Sequence, residues 1–330
     1  MKPFTTVSSM GTSNKLSEVE NGGADYGPDT AGTVTCGLAE AFKDGGNVLL
    51  TGGRYILKGR LDVKSGVNLF GGQNSVVVNE TDDLFEPCIT FEPYTYCQFL
   101  AVDANKKSGV QLGKPGQNNS ISVGTLKVFN AGDIFHSKHG SQTSVTVRGY
   151  NLRFESLDIE GGNSGLLMDN CSDIRGNDVL VVNSATGISI SAAEHVSISN
   201  ITVDSCRYVG LQVDSSHDVS LRGTVWNNAS VYPDSKVEQA VIVGKYSAQN
   251  GNIAVDLDLK IIGTGGTALE MSNCKYCRID ANIINSELNT ETQRIKTGIK
   301  FGGNVDFNTI RAKFADIEEK VSGKANGSNT

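Results

Sequence analysis

The sequence predicts an all-β solenoid, and three observations predict it. The first is an anchor, a Gly followed by two apolar residues that flank one free position. It occurs as "GLLM" at 165, "GISI" at 187 and "GLQV" at 210, spaced by 22 and 23 residues. "ALEM" at 268 and "GIKF" at 298 continue it at longer intervals, and "GVQL" at 109 and "GDIF" at 132 precede it, 23 residues apart. The second is the segment after each anchor: a connection of about five residues, then an alternating stretch such as "VSISNITV" (196–203) or "CRIDANII" (277–284). Alternation of apolar and polar residues is the period of a half-buried strand, not of a helix. The third is composition. There are 38 Gly and only 6 Pro, which suits many tight strand-to-strand turns.

Self-similarity at 22 to 30 residues means repeats that bury their apolar faces only by stacking. Leucine-rich repeats share the length, but their leucine and asparagine consensus is missing. Ankyrin-like repeats need a 3.6 period, also missing. What remains is a single-stranded parallel β-helix. Each repeat is one coil of two or three short strands, bonded to the next about 4.8 Å away.

In chain order, residues 1–23 read as an N-terminal extension and 24–330 as the β-helix domain. In "TAGTVTCGLAEAFKDGG" (30–46), Leu38, Ala41 and Phe42 share one helical face, predicting a short amphipathic helix that caps the first coil. "GNVLLTGGRYILKGRLDVKSGVNLFGG" (46–72) opens the first coils, and the anchors carry the stack onward to about 320. The connection after each anchor is nearly constant. The one before it varies: "DSCRYV" (204–209), "WNNASVYPDSKVEQ" (226–239) and "NSELNTETQRIKT" (285–297). Insertions in a solenoid map to one face, often the binding face.

The residues that close successive strands at this variable corner are expected to stack as Asp103, Phe129, Glu160, Asn183, Asp204 and Trp226. Glu160 and Asp204 then lie two coils apart, about 10 Å. That is near the upper end of the roughly 6.5–9.5 Å carboxyl separation of inverting glycosidases. Asp158, Glu160 and Asp204 are the candidate catalytic acid/base groups. Arg207 can orient a sugar carboxylate bidentately, and Tyr208 offers a ring for a sugar face or a phenol for proton transfer. Tyr232 and Asp234, within the longest insertion, and Arg294 and Lys296 complete the candidate substrate-binding set. Acidic residues at turn starts also bond local backbone N–H groups, and that structural role stands beside the catalytic one.

No metal and no cofactor is expected. "CKYC" (274–277) is one CxxC without the second pair that a structural zinc needs. Cys171 and Cys274 hold the place taken by Ala193, Ser216 and Asn304 in other coils, so small inward side chains explain them. His195 and His217 sit on the constant connection and read as turn residues. Seven cysteines, an odd number without framework spacing, imply reduced thiols. The net charge of -7 argues against nucleic acid as a partner, whereas local basic residues suit a polysaccharide. No apolar run approaches 18 residues, so no membrane insertion is expected. The start lacks the apolar core of a signal peptide, so synthesis in a cytoplasm is expected, as for a virion protein released by lysis.

The order short helix, "GGNVLLTGGRYILKG" (45–59), "LDVKSGVNLFGG" (61–72) resembles the entry of the pectate-lyase-like right-handed parallel β-helix superfamily, which includes phage tailspikes. The resemblance implies a right-handed coil, frequent homotrimers, and a range of activities: polysaccharide lyases, glycoside hydrolases, uronate epimerases and receptor-binding tail proteins. "QRIKTG" (293–298) resembles a substrate-binding triplet of polygalacturonases. The aspartate pair and Gly-His-Gly that accompany it there are missing: Asp82 and Asp83 come too early, and Lys138 stands in place of the first Gly. The expected function is recognition of a polysaccharide, with its cleavage or modification. The alternative is a non-catalytic structural or receptor-binding virion protein that uses the β-helix as a rigid trimeric rod.

Overall fold

A computed structural model describes residues 4–10, 24–43, 45–132, 142–226, 239–245, 252–263, 266–285 and 294–323. Two compact units divide the chain, 1–162 and 163–330. The first holds β1 (Thr5–Val7), α1 (Leu38–Ala41), β2 (Gly46–Leu50), β3 (Gly53–Leu57), β4 (Leu61–Val63), β5 (Val67–Phe70), β6 (Ser75–Asn79), β7 (Ile89–Phe91), β8 (Tyr96–Asp103), β9 (Val110–Leu112), β10 (Asn118–Ala131) and β11 (Thr143–Gly161). The second holds β12 (Ser164–Val182), β13 (Thr186–Ser191), β14 (Glu194–Asp204), β15 (Val209–Asp214), β16 (His217–Trp226), β17 (Gln239–Val243), β18 (Asn252–Ile262), β19 (Thr267–Lys275), β20 (Arg278–Ile284), β21 (Thr297–Asp306), β22 (Thr309–Ala315) and β23 (Glu319–Ser322).

Within each unit a strand pairs in parallel with the equivalent strand one coil away. In the first unit Val48, Leu69, Cys97, Val123 and Phe154 form one such column, and all five are buried. In the second, Leu166, Ile188, Leu211, Val241, Leu269 and Ile299 form another, none more than 2% exposed. The alternation read in the sequence is therefore the alternation between these inward columns and outward polar positions.

The anchor glycine has a steric cause. A Cβ on Gly187 would overlap the carbonyl oxygen of Gly210 and come within 3.0 Å of Cys206 Sγ. One coil's corner thus packs directly on the next coil's backbone. The opposite corner has a conformational cause. In the second unit Asp173, His195, Asp218, Ala254, Tyr276 and Phe307 stack on successive coils, each left-handed with φ between 51° and 57°. A non-Gly residue pays for this conformation, yet here it recurs coil after coil. On this corner His195 lies 3.6 Å from Asp173 and 3.4 Å from Asp218. Tyr276 and Phe307 stack with centroids 5.6 Å apart.

Several expectations change. The coil after "GVQL" is not "GDIF". Val110 pairs with Val145, so the anchor place falls to Ser144. Residues 133–135 of "GDIF" lie outside the described residues. At the variable corner Asp103 does pair with Phe129, and Asp204 with Trp226. Asp204, however, pairs with Val182 and not Asn183. Asn183 shares its left-handed conformation with Ser205, φ 55° and 52°, one step further into the turn. Cys274 pairs with Val305 and not Asn304, because the register shifts between Ser272 and Cys274. Residues 5–7, inside the segment read as an extension, pair with β2. The expected helix is one turn, α1, with Leu38, Ala41 and Phe42 each 1% exposed. It packs against β1 and β4, and its role as an end cap is a proposal.

Candidate functional site

Asp158 and Glu160 belong to the first unit, and Asp204, Arg207, Tyr208, Arg294 and Lys296 to the second; each group is described by itself. Asp158 pairs in register with Lys127 and forms an ion pair with it at 3.3 Å, both side chains well exposed. Glu160 is exposed beside Gly161. Tyr232 and Asp234 lie outside the described residues.

In the second unit Asp204 closes β14. Its carboxylate accepts the Ser205 hydroxyl at 3.1 Å. Cys206 turns inward and is fully buried. The next two residues are tied to the coil before: the Arg207 and Tyr208 backbone N–H groups donate to the Ser184 and Ala185 carbonyls at 2.8 and 2.7 Å. The Arg207 guanidinium sits 5.2 Å from the centre of the Tyr208 ring, a cation–π contact that orients both. The chain then runs straight into β15. So the sequence-predicted Asp204, Arg207 and Tyr208 do share one corner, with exposed Trp226 one coil further on. Arg294 and Lys296 precede β21. They line a cavity of about 730 Å³ together with Asp316, Glu318 and Lys320.

These corners flank a face that the repeat pattern did not single out. Gln212, Ile242, Glu270 and Lys300 are in register across β15, β17, β19 and β21. They occupy the outward position between inward Leu211, Val241, Leu269 and Ile299 and the next inward residue. Outward positions of a solenoid ordinarily meet water. Here Ile242 is 0% exposed, Glu270 6% and Asp214, two residues beyond Gln212, 5%. Carboxylates are almost never so buried without partners. Glu270 Oε2 accepts Gln239 Nε2 at 2.7 Å and lies 3.5 Å from Lys245 Nζ and 3.8 Å from Lys300 Nζ. Asp214 accepts Gln212 Nε2 at 2.6 Å. Ser272 continues the same face, 6% exposed, and a Cβ on Gly302 would sit 3.0 Å from its Oγ.

The arrangement can hold a proton-exchanging carboxylate beside two ammonium groups and a hydrogen-bonding amide. The signal was present in the sequence. The free position of the anchor reads Leu167, Ser189, Gln212, Glu270 and Lys300, so opposite charges fall on neighbouring coils. Gln239 and Lys245 carry no such signal. Among the described residues no group of three or more His, Cys, Asp or Glu could hold a metal ion, and no helix is long and apolar enough to cross a membrane.

Solved structures resemble this chain, among them the following three. One is the enzymatically active domain of tailspike protein 2 of bacteriophage CBA120, with TM-score 0.50 and 13% identity over 84% of this chain and 40% of that one. The likeness is one of fold. The chain is a right-handed parallel β-helix, and it spans less than half of that tailspike's length. A protein of Geobacillus virus E2 matches with TM-score 0.48 and 11% identity, over 88% of this chain and 54% of that one. The A-module of a mannuronan C-5 epimerase from Azotobacter vinelandii matches with TM-score 0.45 and 13% identity, over 89% and 94%. No protein-family model and no curated protein matches the sequence.

Proposed function

We infer that the chain binds a polysaccharide across the outward face of β15, β17, β19 and β21 and modifies it there. The carrying observation is Glu270. It is a carboxylate 6% exposed on a face that should be wet, held by Gln239 and flanked by Lys245 and Lys300. Taking a proton next to a sugar carboxylate needs a base together with cations that steady the enolate-like charge. Glu270 supplies the first, and Lys245 and Lys300 supply the second. Asp204 is the second proton-exchanging group in this proposal, and Asp158 and Glu160 are held as further candidates of the first unit. Arg207, Arg294 and Lys296 hold sugar carboxylates, and Tyr208 and Tyr232 meet sugar faces. Asp234 accepts sugar hydroxyls. The fold is shared with an enzymatically active tailspike domain, and a fold hosts many chemistries, so the assignment rests on the site.

The test is a panel of acidic and neutral polysaccharides, with three readouts: the ultraviolet absorbance of an unsaturated uronate, new reducing ends, and sugar configuration by NMR. Product from at least one acidic polymer is expected. Glu270→Gln should lower kcat at least about 100-fold with an unchanged circular dichroism spectrum. Unchanged turnover would remove Glu270 from the chemistry. Binding without product in the wild type would leave a receptor-binding protein, the rod-like virion reading. Subunit number belongs to the same proposal, a homotrimer, and is read by light scattering.

A further inference from the structure

A second groove lies on another face of the same unit. It crosses β16, β18, β20 and β22 and encloses about 820 Å³. Its residues stand in register. Arg222, Asp258, Asp280 and Arg311 form one row across the four strands. Beside them Gly223, Leu259, Ala281 and Ala312 form a floor of mostly small side chains. Lys260, Asn282 and Lys313 form the far wall. At its edge the register shifts between Ile198 and Ile201 of the preceding coil, opposite Leu221 and Gly223. Gly223 has φ 144°, and a Cβ there would overlap the backbone of Ile201.

The charges in this groove run against those of the chain. The chain carries -7, yet four cations and two carboxylates line the groove. Asp280 is already neutralised by Arg278, which lies outside the lining and approaches to 3.0 Å. Among the described residues Arg222, Lys260, Arg311 and Lys313 have no carboxylate within ion-pair distance. Four cations without a carboxylate partner among the described residues, all facing one trough of an acidic protein, concentrate a positive field there. From Arg222 to Arg311 is three coil steps, about 14 Å.

We propose that this groove is a separate holding site for a carboxylated polysaccharide, which lies along the stack with its carboxylates on Arg222, Arg311, Lys260 and Lys313. Asp258 decides the ligand class. It sits between the cations, where it accepts sugar hydroxyls. A nucleic acid strand carries a charge every 3.4 Å or so, and would press phosphates onto Asp258. The ligand class is shared with the function proposed above, but every residue is different and the groove is assigned binding only.

The experiment measures binding of polygalacturonate oligomers, of dextran of similar length and of single-stranded DNA to the full chain, by fluorescence anisotropy at low and high salt. Polygalacturonate binding is expected to weaken with salt, as exposed charge pairs do. Arg222→Glu with Arg311→Glu should weaken it about tenfold or more, a loss of about 1.4 kcal/mol or more. Arg222→Gln with Arg311→Gln serves if the reversal disturbs folding. Turnover is assayed on the same charge variants, so that loss of binding at the groove and loss of chemistry at the active face read differently. Unchanged polygalacturonate binding in both charge variants would overturn the proposal. So would equal binding of dextran, or preferential binding of DNA.

Discussion

At Gly187 the backbone leaves no room for a side chain. Its neighbours are the Gly210 carbonyl, a Val203 methyl and the buried Cys206 thiol, and two of these belong to the packed core. Gly187→Ala should therefore destabilise the chain by about 1–3 kcal/mol through overpacking, seen as a lower urea midpoint. A midpoint equal to that of the wild type would mean that the corner yields freely. Glu270 is the counterpart at the active face. Its environment was legible only in part. The sequence places a carboxylate at the free position of an anchor and a lysine at the same position one coil later. It gives no hint that Gln239, 31 residues earlier, donates to that carboxylate. Asp204, Arg207 and Tyr208 were legible because they are neighbours in sequence as well as in space.

At the scale of elements, the variable corner is held by buried amides. Asn285 is 5% exposed. Its Nδ2 donates to the Ile295 carbonyl at 3.0 Å and to the Asp316 carbonyl at 2.6 Å, and its Oδ1 accepts the Ile295 N–H at 2.7 Å. It thus ties the approach to β21 to the next coil. Asn285→Ala leaves buried backbone groups unsatisfied and should cost about 2–4 kcal/mol. The measurement is a thermal midpoint, paired with hydrogen exchange of the Ile295 amide. Loss of protection there without global unfolding would place the effect in this corner. Full protection in the variant would refute the tie. Alternation identified strands of this kind well. It misjudged one register at a bulge, at Cys274 against Val305, and it set the end of β12 one residue late, at Asn183 where Val182 pairs with Asp204. One extra residue leaves the pattern of a strand intact and moves its partner.

For the molecule as a whole, the thiols set an alkaline limit on stability. All seven cysteines are free and buried. Burial pushes Cys88, Cys97, Cys171 and Cys206 up to about 12 from an ordinary 9.0. Between those values the folded chain keeps these protons and the unfolded chain loses them. Stability is then fully present below about pH 9 and falls as pH rises toward 12, by about 1.4 kcal/mol per pH unit for each thiol. Urea midpoints measured from pH 8 to 11 should fall progressively, and more gently after Cys206→Ala or Cys97→Ala once each variant is referred to its own pH 8 value. A flat profile would show that the thiols are reached by solvent.

Sequence alone determined the fold class, the repeat and the corner at which coils differ. These come from local rules: inward positions must be apolar at period two, and a small corner residue, most often glycine, recurs where coils touch. Only the tertiary structure decided that Ser144 fills an anchor place, that Glu270 meets Gln239, Lys245 and Lys300, and that four cations face one trough. Outward positions obey no period. Which of them meet depends on the length of every intervening loop and on each bulge, and those add up only when the chain is wound.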